Sequence, residues 1–476
     1  MNNTYTELVK QTFHFPQEGF NTNDDGYLQF NGLDLKALIE KYGTPLKLSY
    51  LPKIGMQINR AKKMFADAMR KHKYEGKYFY CYCTKSSHFS FVVEEALKHD
   101  IHLETSYAYD IEIINKLYQR RKINKETFII CNGFKQKQYT SRIAKLINSG
   151  FKNVVPVLDN KEELDAYKRS VKQPFKLGIR VAAEEEPNFP FYTSRLGIRA
   201  RDILEFYVDN IEGYEHKFQL KMLHIFLNKG IKDDIYYWSE LNKIINLYCQ
   251  LKKICPELDS INIGGGFPIK HSLGFEYDYQ FMINEIVGNI KKTCKKAKVP
   301  MPNIYTEFGS FTVGESMAHI YSVVAQKQQN DREIWYMIDS SFITTLPDTW
   351  GIGEKFLMLP INKWDNDYQR VVLGGITCDS HDYYDSEEHI NEVFLPKLEH
   401  ASNKGDSPNI EPLYVGFFHT GAYQDQISGY GGIKHCLIPS PKHIIVGYDK
   451  NGKLVDWVYA KEQSAQSMLK ILGYDR

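Results

Sequence analysis

The stretch K-Y-F-Y-C-Y-C-T-K-S-S-H-F-S-F-V-V-E-E-A-L-K-H-D-I-H-L-E-T, residues 77 to 105, decides the fold. It opens on an aromatic, β-rich run (77–84), passes through a segment whose apolar residues recur at three and four (91–99), and closes on a second β-rich run (101–105). Strand, helix, strand is the repeating unit of a parallel sheet. Further out, β-rich runs follow at 127–131 (T-F-I-I-C), 154–158 (V-V-P-V-L), 176–182 (K-L-G-I-R-V-A), 221–226 (K-M-L-H-I-F), 260–264 (S-I-N-I-G) and 303–307 (N-I-Y-T-E). Amphipathic segments such as 240–254 lie between them. Eight such units predict an α/β fold, a closed (β/α)8 barrel of the TIM type.

The flanks read differently. Residues 312–476 carry strand-like runs, A-H-I-Y-S-V-V-A-Q, R-V-V-L-G-G-I and H-I-I-V-G-Y, with D-K-N-G at 449–452 as a hairpin turn. Near the start, Y-L-Q-F-N-G (27–32) reads as strand and turn, followed by a helix D-L-K-A-L-I-E-K-Y that ends before Gly43. The expected organisation is an N-terminal segment (1–45) joined to a mostly β domain (312–476, barrel or sandwich), with the (β/α)8 barrel at 46–311.

Composition narrows the function classes. Sixty Lys and Arg nearly cancel 58 Asp and Glu, so no global field favours nucleic acid or an anionic membrane. The lysines at 291, 292, 295, 296 and 298 recur as one solvated helix face does. Eight scattered cysteines show neither zinc-site spacing nor a disulfide framework, so a reducing compartment and no metal are expected. No signal peptide and no apolar run of membrane-spanning length is read. The expectation is a cytoplasmic protein with a small-molecule ligand.

In such a barrel, polar residues at the carboxyl ends of strands carry the chemistry. Lys85 ends the first strand, Glu104 the second, Asp159 the fourth and Glu307 the eighth, with Arg180 and His224 in the last turns of the fifth and sixth. A strand-end lysine is usually a solvated cap. Gly264, Gly265 and Gly266 after the seventh strand let backbone approach a ligand and turn N–H groups toward a phosphate, although such glycines more often serve a tight turn. Glu307 suits a pyridine nitrogen, or equally a structural ion pair with Arg180.

Together these residues resemble the fold III (alanine racemase-like) pyridoxal-phosphate decarboxylases, which include ornithine, diaminopimelate and biosynthetic arginine decarboxylases. The resemblance spans nearly the whole chain. Lys85 matches the lysine that holds the cofactor covalently, Arg180 in G-I-R-V the barrel arginine, and I-G-G-G-F-P the phosphate loop. Glu307 in T-E-F-G-S matches the acid at the pyridine nitrogen, C-D-S-H-D (378–382) the Cys-Asp motif, and Tyr423 in G-A-Y the cofactor-contacting tyrosine. L-P-D-T-W-G-I (346–352), C-D-S and I-C-N-G-F-K (130–135) are similar to the arginine decarboxylase branch.

Departures are present. Where much of the family has a stacking histidine and a serine toward the phosphate, H-I-F-L-N-K places Phe226 and Lys229. E-P-G-R becomes E-F-G-S, so Ser310 replaces an arginine. C-D-S-D becomes C-D-S-H, with Asp382 one place later. The resemblance implies pyridoxal 5'-phosphate as cofactor, held by Lys85, Glu104, Arg180, His224, Phe226, Lys229, Gly264 to Gly266, Glu307, Ser310 and Tyr423. It implies catalysis by Lys85, Glu307 and Cys378, and substrate binding by Asp348, Asp379, His381 and Asp382. The expected reaction is decarboxylation of arginine to agmatine, a step of polyamine synthesis, in a homodimer whose sites are shared between subunits. Rival readings are a decarboxylase of ornithine, lysine, diaminopimelate or a carboxylated polyamine, an amino-acid racemase, and a non-catalytic regulatory paralogue.

Overall fold

A computed structural model describes residues 4–183, 194–227, 234–384, 393–398 and 411–474. The chain forms two compact units, one of Lys53–Pro268 with Tyr277–Val313, the other of Met1–Pro52, Ile269–Glu276 and Gly314–Arg476.

The first unit is the closed parallel barrel. Its strands are Tyr78–Cys83, His102–Thr105, Ile129–Cys131, Val154–Leu158, Phe175–Arg180, Phe218–His224, Ser260–Asn262 and Asn303–Phe308, each hydrogen-bonded to its neighbours in chain order. The last pairs with the first, Thr306 opposite Tyr80 and Glu307 opposite Cys81, which closes the ring. Helices such as Ser90–Leu97, Asp234–Leu251 and Tyr279–Ala297 make the crossovers.

Strand alternation builds the interior in layers. Rings of Phe79, Phe128 and Tyr305 meet low in the barrel, Phe79 stacked on Tyr305 at 4.5 Å. Cys81, Ile130, Val155, Val157 and Met222 complete this buried apolar cluster. Counting on by two from Cys81, Ile130, Val157, Met222 and Tyr305 keeps the inner face and reaches Cys83, Asn132, Asp159, His224 and Glu307. Register sets Glu104 beside Cys83, and Arg180 and Asn262 beside His224. The same alternation that fills the barrel with apolar side chains therefore crowns it with a buried polar layer.

The second unit is mostly β. Met317–Gln328 pairs with Ile334–Ile338, Tyr414–Phe418 and Leu46–Tyr50, all antiparallel. Lys442–Tyr448 and Leu454–Ala460 form a hairpin around the D-K-N-G turn. Helix Leu35–Tyr42 starts at Asp34, whose carboxylate accepts from the Ala37 N–H at 3.1 Å, and stops at Gly43, whose φ of 75° suits glycine.

Two boundaries differ from the expected ones. Leu46–Tyr50, read as the barrel's beginning, is a strand of the β unit, parallel to Lys442–Tyr448. All five of its residues are buried, so it is an inner strand with both faces covered. Ile269–Glu276 also leaves the barrel for the β unit. Among the described residues no helix is long and apolar enough to cross a membrane.

Candidate active site

Glu307 is the centre of the polar layer and only 4% exposed. Asn132 Nδ2 donates to its two oxygens at 2.9 and 2.8 Å, Asn262 Nδ2 to Oε1 at 2.6 Å, and His224 Nε2 lies 3.1 Å from Oε2. With a carboxylate as acceptor, that ring nitrogen must carry the proton. Burial alone would raise the Glu307 pKa, but the charge and hydrogen bond of His224, the amide of Asn132 and the charge of Lys85 outweigh it and hold the carboxyl at about 2. Glu307 is therefore an ionised carboxylate in a water-poor setting. Asn132 also donates to Glu104 Oε1 at 3.1 Å, and Glu104 accepts from Cys83 Sγ and Ser106 Oγ. Burial, then the Glu104 charge, pushes the Cys83 thiol up, so it stays protonated and donates.

Lys85 stands in a single helical turn, Thr84–Ser86, directly after the first strand. Side chains pin the backbone on either side of it: Thr84 Oγ1 donates to the Glu104 carbonyl at 2.9 Å and Ser86 Oγ to the Cys83 carbonyl at 2.8 Å. Its amine lies 5.5 Å from the Phe226 ring centroid, and the Arg180 guanidinium 5.8 Å from the same ring. Two cations thus face one aromatic ring. Among the described residues no ion pair joins Arg180 to Glu307, which corrects the ion-pair reading of those two. Burial lowers the Arg180 pKa, against the charges of Asp159, Glu307 and Glu104.

The glycine run packs backbone against backbone. A Cβ on Gly264 would stand 2.6 Å from the Ile225 carbonyl oxygen, and one on Gly265 would stand 2.5 Å from that of Glu307. Gly264 and Gly266 have φ of 70° and 98°, which favours glycine. Among the described residues the N–H groups of Gly265 and Gly266 make no hydrogen bond. Ser310 opens the short turn Ser310–Val313 after the eighth strand, and Lys229 lies outside the described residues.

In the β unit, Asp348 and Gln424 are joined twice: Gln424 Nε2 donates to Asp348 Oδ2 at 2.7 Å, and the Asp348 N–H to Gln424 Oε1 at 3.2 Å. Burial raises the Asp348 pKa. Tyr423 holds a φ of 69°, a conformation rare for an aromatic residue and found where structure around it enforces strain. Cys378, exposed, lies beside Asp379 and His381; the His381 N–H donates to Asp379 Oδ1 at 2.8 Å, which with the nearby imidazole lowers the Asp379 pKa. Asp382 corrects its expected role. It is buried, and its oxygens accept from the N–H groups of Phe342 and Thr377 and from Thr377 Oγ1 at 2.8, 3.1 and 2.6 Å, so it fixes a loop and is not presented to a substrate.

Residues 55–314 match the family model described as pyridoxal-dependent decarboxylase, pyridoxal binding domain, and the chain belongs to that family of enzymes. Biosynthetic arginine decarboxylase 1 of Synechocystis sp. is 20% identical over 83% of this chain and 74% of its own. The biosynthetic arginine decarboxylase of Bacteroides thetaiotaomicron is 21% identical over 94% and 88%. Among solved structures, the biosynthetic arginine decarboxylase of Campylobacter jejuni has a TM-score of 0.79 at 20% identity, covering 99% of this chain and 90% of that one. Diaminopimelate decarboxylase of M. jannaschii has 0.75 at 16%, covering 96% and 98%. At these identities the solved structures speak for the fold.

The family implies pyridoxal phosphate, and the barrel mouth fits it. A cation-flanked aromatic ring, an ionised carboxylate and a glycine run with two N–H groups unengaged among the described residues lie at the ends of adjacent strands. Gly265→Ala tests the fit. Its new Cβ meets backbone rather than a movable side chain, so the eighth strand must shift at a cost of about 1–3 kcal/mol, and cofactor affinity should fall roughly tenfold. A titration of the apoprotein followed by visible absorbance measures it; unchanged affinity and melting temperature would remove the glycine run from the site.

Asn132 and Asn262 were not singled out from the sequence. Their signal was present, since each falls two residues after an inward-facing strand position, but an amide has no titratable group to draw notice.

Proposed function

We propose that the protein decarboxylates arginine to agmatine, with Lys85, Glu307 and Cys378 as the catalytic residues. The observation carrying this is the ionised, four-times-bonded Glu307 in a barrel mouth that also holds Lys85. When bound, pyridoxal phosphate supplies the sink for the electron pair left on Cα as carbon dioxide departs. Lys85 would hold the cofactor through its amine, at the end of the first barrel strand. Glu307 keeps a negative charge for a protonated ring nitrogen, a pairing that disfavours the racemase reading. Arg180, His224, Phe226, Ser310, Glu104 and the Gly264 to Gly266 amides would line or support the cofactor.

Cys378 Sγ delivers the proton that replaces the carboxylate at Cα. For the distal guanidinium, Asp348 is the favoured partner: its burial cost in the ionised form is relieved by an incoming cation, and Oδ1 takes no hydrogen bond among the described residues. Asp379, whose Oδ1 accepts from the His381 N–H at 2.8 Å, is the second candidate partner of that group. The substrate reading draws support from relatives named for arginine decarboxylation that align over most of their length. Mass spectrometry of amines formed from a panel of basic amino acids tests it. Agmatine should dominate; putrescine or cadaverine instead would move the substrate to ornithine or lysine, and no amine at all would favour the regulatory paralogue.

A homodimer with shared sites belongs to the same proposal. Lys85→Ala and Cys378→Ala chains, each nearly inactive, should together regain about a quarter of wild-type activity after random exchange, because a two-fold hybrid holds one intact site and one doubly altered site. Mixtures that never exceed the parents, despite exchange proven by mass, would place both residues in one chain's site.

A further inference from the structure

Outside the barrel mouth, the β unit brings together three soft metal-ligand side chains. Cys378 Sγ and Cys436 Sγ are 3.4 Å apart, and the ligand atoms of Cys378, His435 and Cys436 all lie within 4.8 Å of one another. The two cysteines are 58 residues apart in the chain, so no spacing motif announces them.

We infer that Cys378, His435 and Cys436 form a site for a thiophilic divalent cation such as Zn2+, and that filling it withdraws Cys378 from catalysis. The second half rests on the proton-donor role proposed above. Tetrahedral zinc with sulfur at about 2.3 Å sets two thiolates roughly 3.8 Å apart. The sulfurs therefore need to part by only a few tenths of an ångström. Two sulfurs and one imidazole nitrogen make a ligand set zinc takes when a fourth position stays open to water or substrate. All three residues are exposed, which gives the ion a path in.

Local backbone agrees with a constrained site. Cys436 and Leu437 have φ of 52° and 54°, consecutive left-handed non-glycine residues inside the short turn His435–Leu437. Such conformations persist where surrounding structure enforces them, often at functional sites. Here the bend turns adjacent residues, His435 and Cys436, toward the same partner. Asp379 carries charge close to His435, as carboxylates near metal-bound imidazoles commonly do. Binding replaces both thiol protons, which pass to solvent, and moves no electrons. With its sulfur in a metal–thiolate bond, Cys378 has no proton left to give Cα.

Cobalt reports the site directly. Reduced, metal-free holoenzyme titrated with Co2+ should bind one ion per chain, with near-ultraviolet sulfur-to-cobalt absorption and the visible bands of four-coordinate cobalt, both erased by Zn2+. Cys436→Ser and His435→Ala should each weaken binding about 100-fold or more. Both variants should keep wild-type decarboxylation in chelator and lose inhibition by Zn2+. If wild type shows no such bands at millimolar cobalt, or both variants keep them undiminished, the site is overturned. Cobalt binding together with full activity in zinc would leave the site standing and overturn the withdrawal of Cys378, and with it the proton-donor role.

Discussion

Lys85→Ala is expected to slow decarboxylation by about 1000-fold or more, equal to roughly 4 kcal/mol of transition-state stabilisation. The same change should abolish the borohydride-fixed cofactor seen by mass spectrometry on wild type. The fold should survive the change, because the turn that carries Lys85 is fixed by the hydroxyls of Thr84 and Ser86, and a cooperative melting transition checks it. Lys85→Arg separates charge from chemistry. It retains a cation for the Phe226 ring but cannot form the covalent link, so it should be as inactive as the alanine variant. Cofactor fixed at another lysine in Lys85→Ala would move the assignment.

The barrel was legible because strand and helix periods alternate with little noise from residue 77 to 307, and all eight strands stand where β-rich runs were read. Ends shifted by a few residues. The seventh strand stops at Asn262, before the glycines, since Gly264 adopts a φ no ladder residue needs. Leu46–Tyr50 was misassigned for a different reason. A buried five-residue run has no directional signature, and only tertiary pairing with Met317–Gln328 and Lys442–Tyr448 tells which sheet owns it.

For the site, the sequence located charged strand-end residues but could not say which touch. Arg180 and Glu307 looked like partners, yet the carboxylate is satisfied by two amides and an imidazole, and the guanidinium faces Phe226. Asp382 lay one place from a motif position and proved to be a loop anchor whose oxygens meet backbone N–H groups. Cys436 and His435 carried no signal at all, because their closeness to Cys378 depends on how the β unit folds back after residue 418.

Glu307→Gln should lower the decarboxylation rate roughly 100- to 1000-fold, the cost of removing one preorganised charge from a water-poor site, while cofactor affinity falls far less. The geometry makes this substitution more than a loss of charge. All four contacts on the carboxylate are donors, so a glutamine amide turns one N–H group toward Asn132, Asn262 or His224, and that neighbour must turn its amide or shift its ring proton to Nδ1 to accept it, at a cost of about 1–3 kcal/mol. Glu307→Gln should therefore also unfold at lower denaturant. Acid dependence gives a second reading. Folding holds this carboxyl at about 2, below its ordinary 4.5, so its contribution is fully present above about pH 4.5 and is lost as pH falls toward 2. The stability gap between wild type and Glu307→Gln should consequently narrow across that window and stay constant above it. Equal turnover in the two proteins, or a gap indifferent to pH, would mean that Glu307 is not the buried anion on which the proposed chemistry depends.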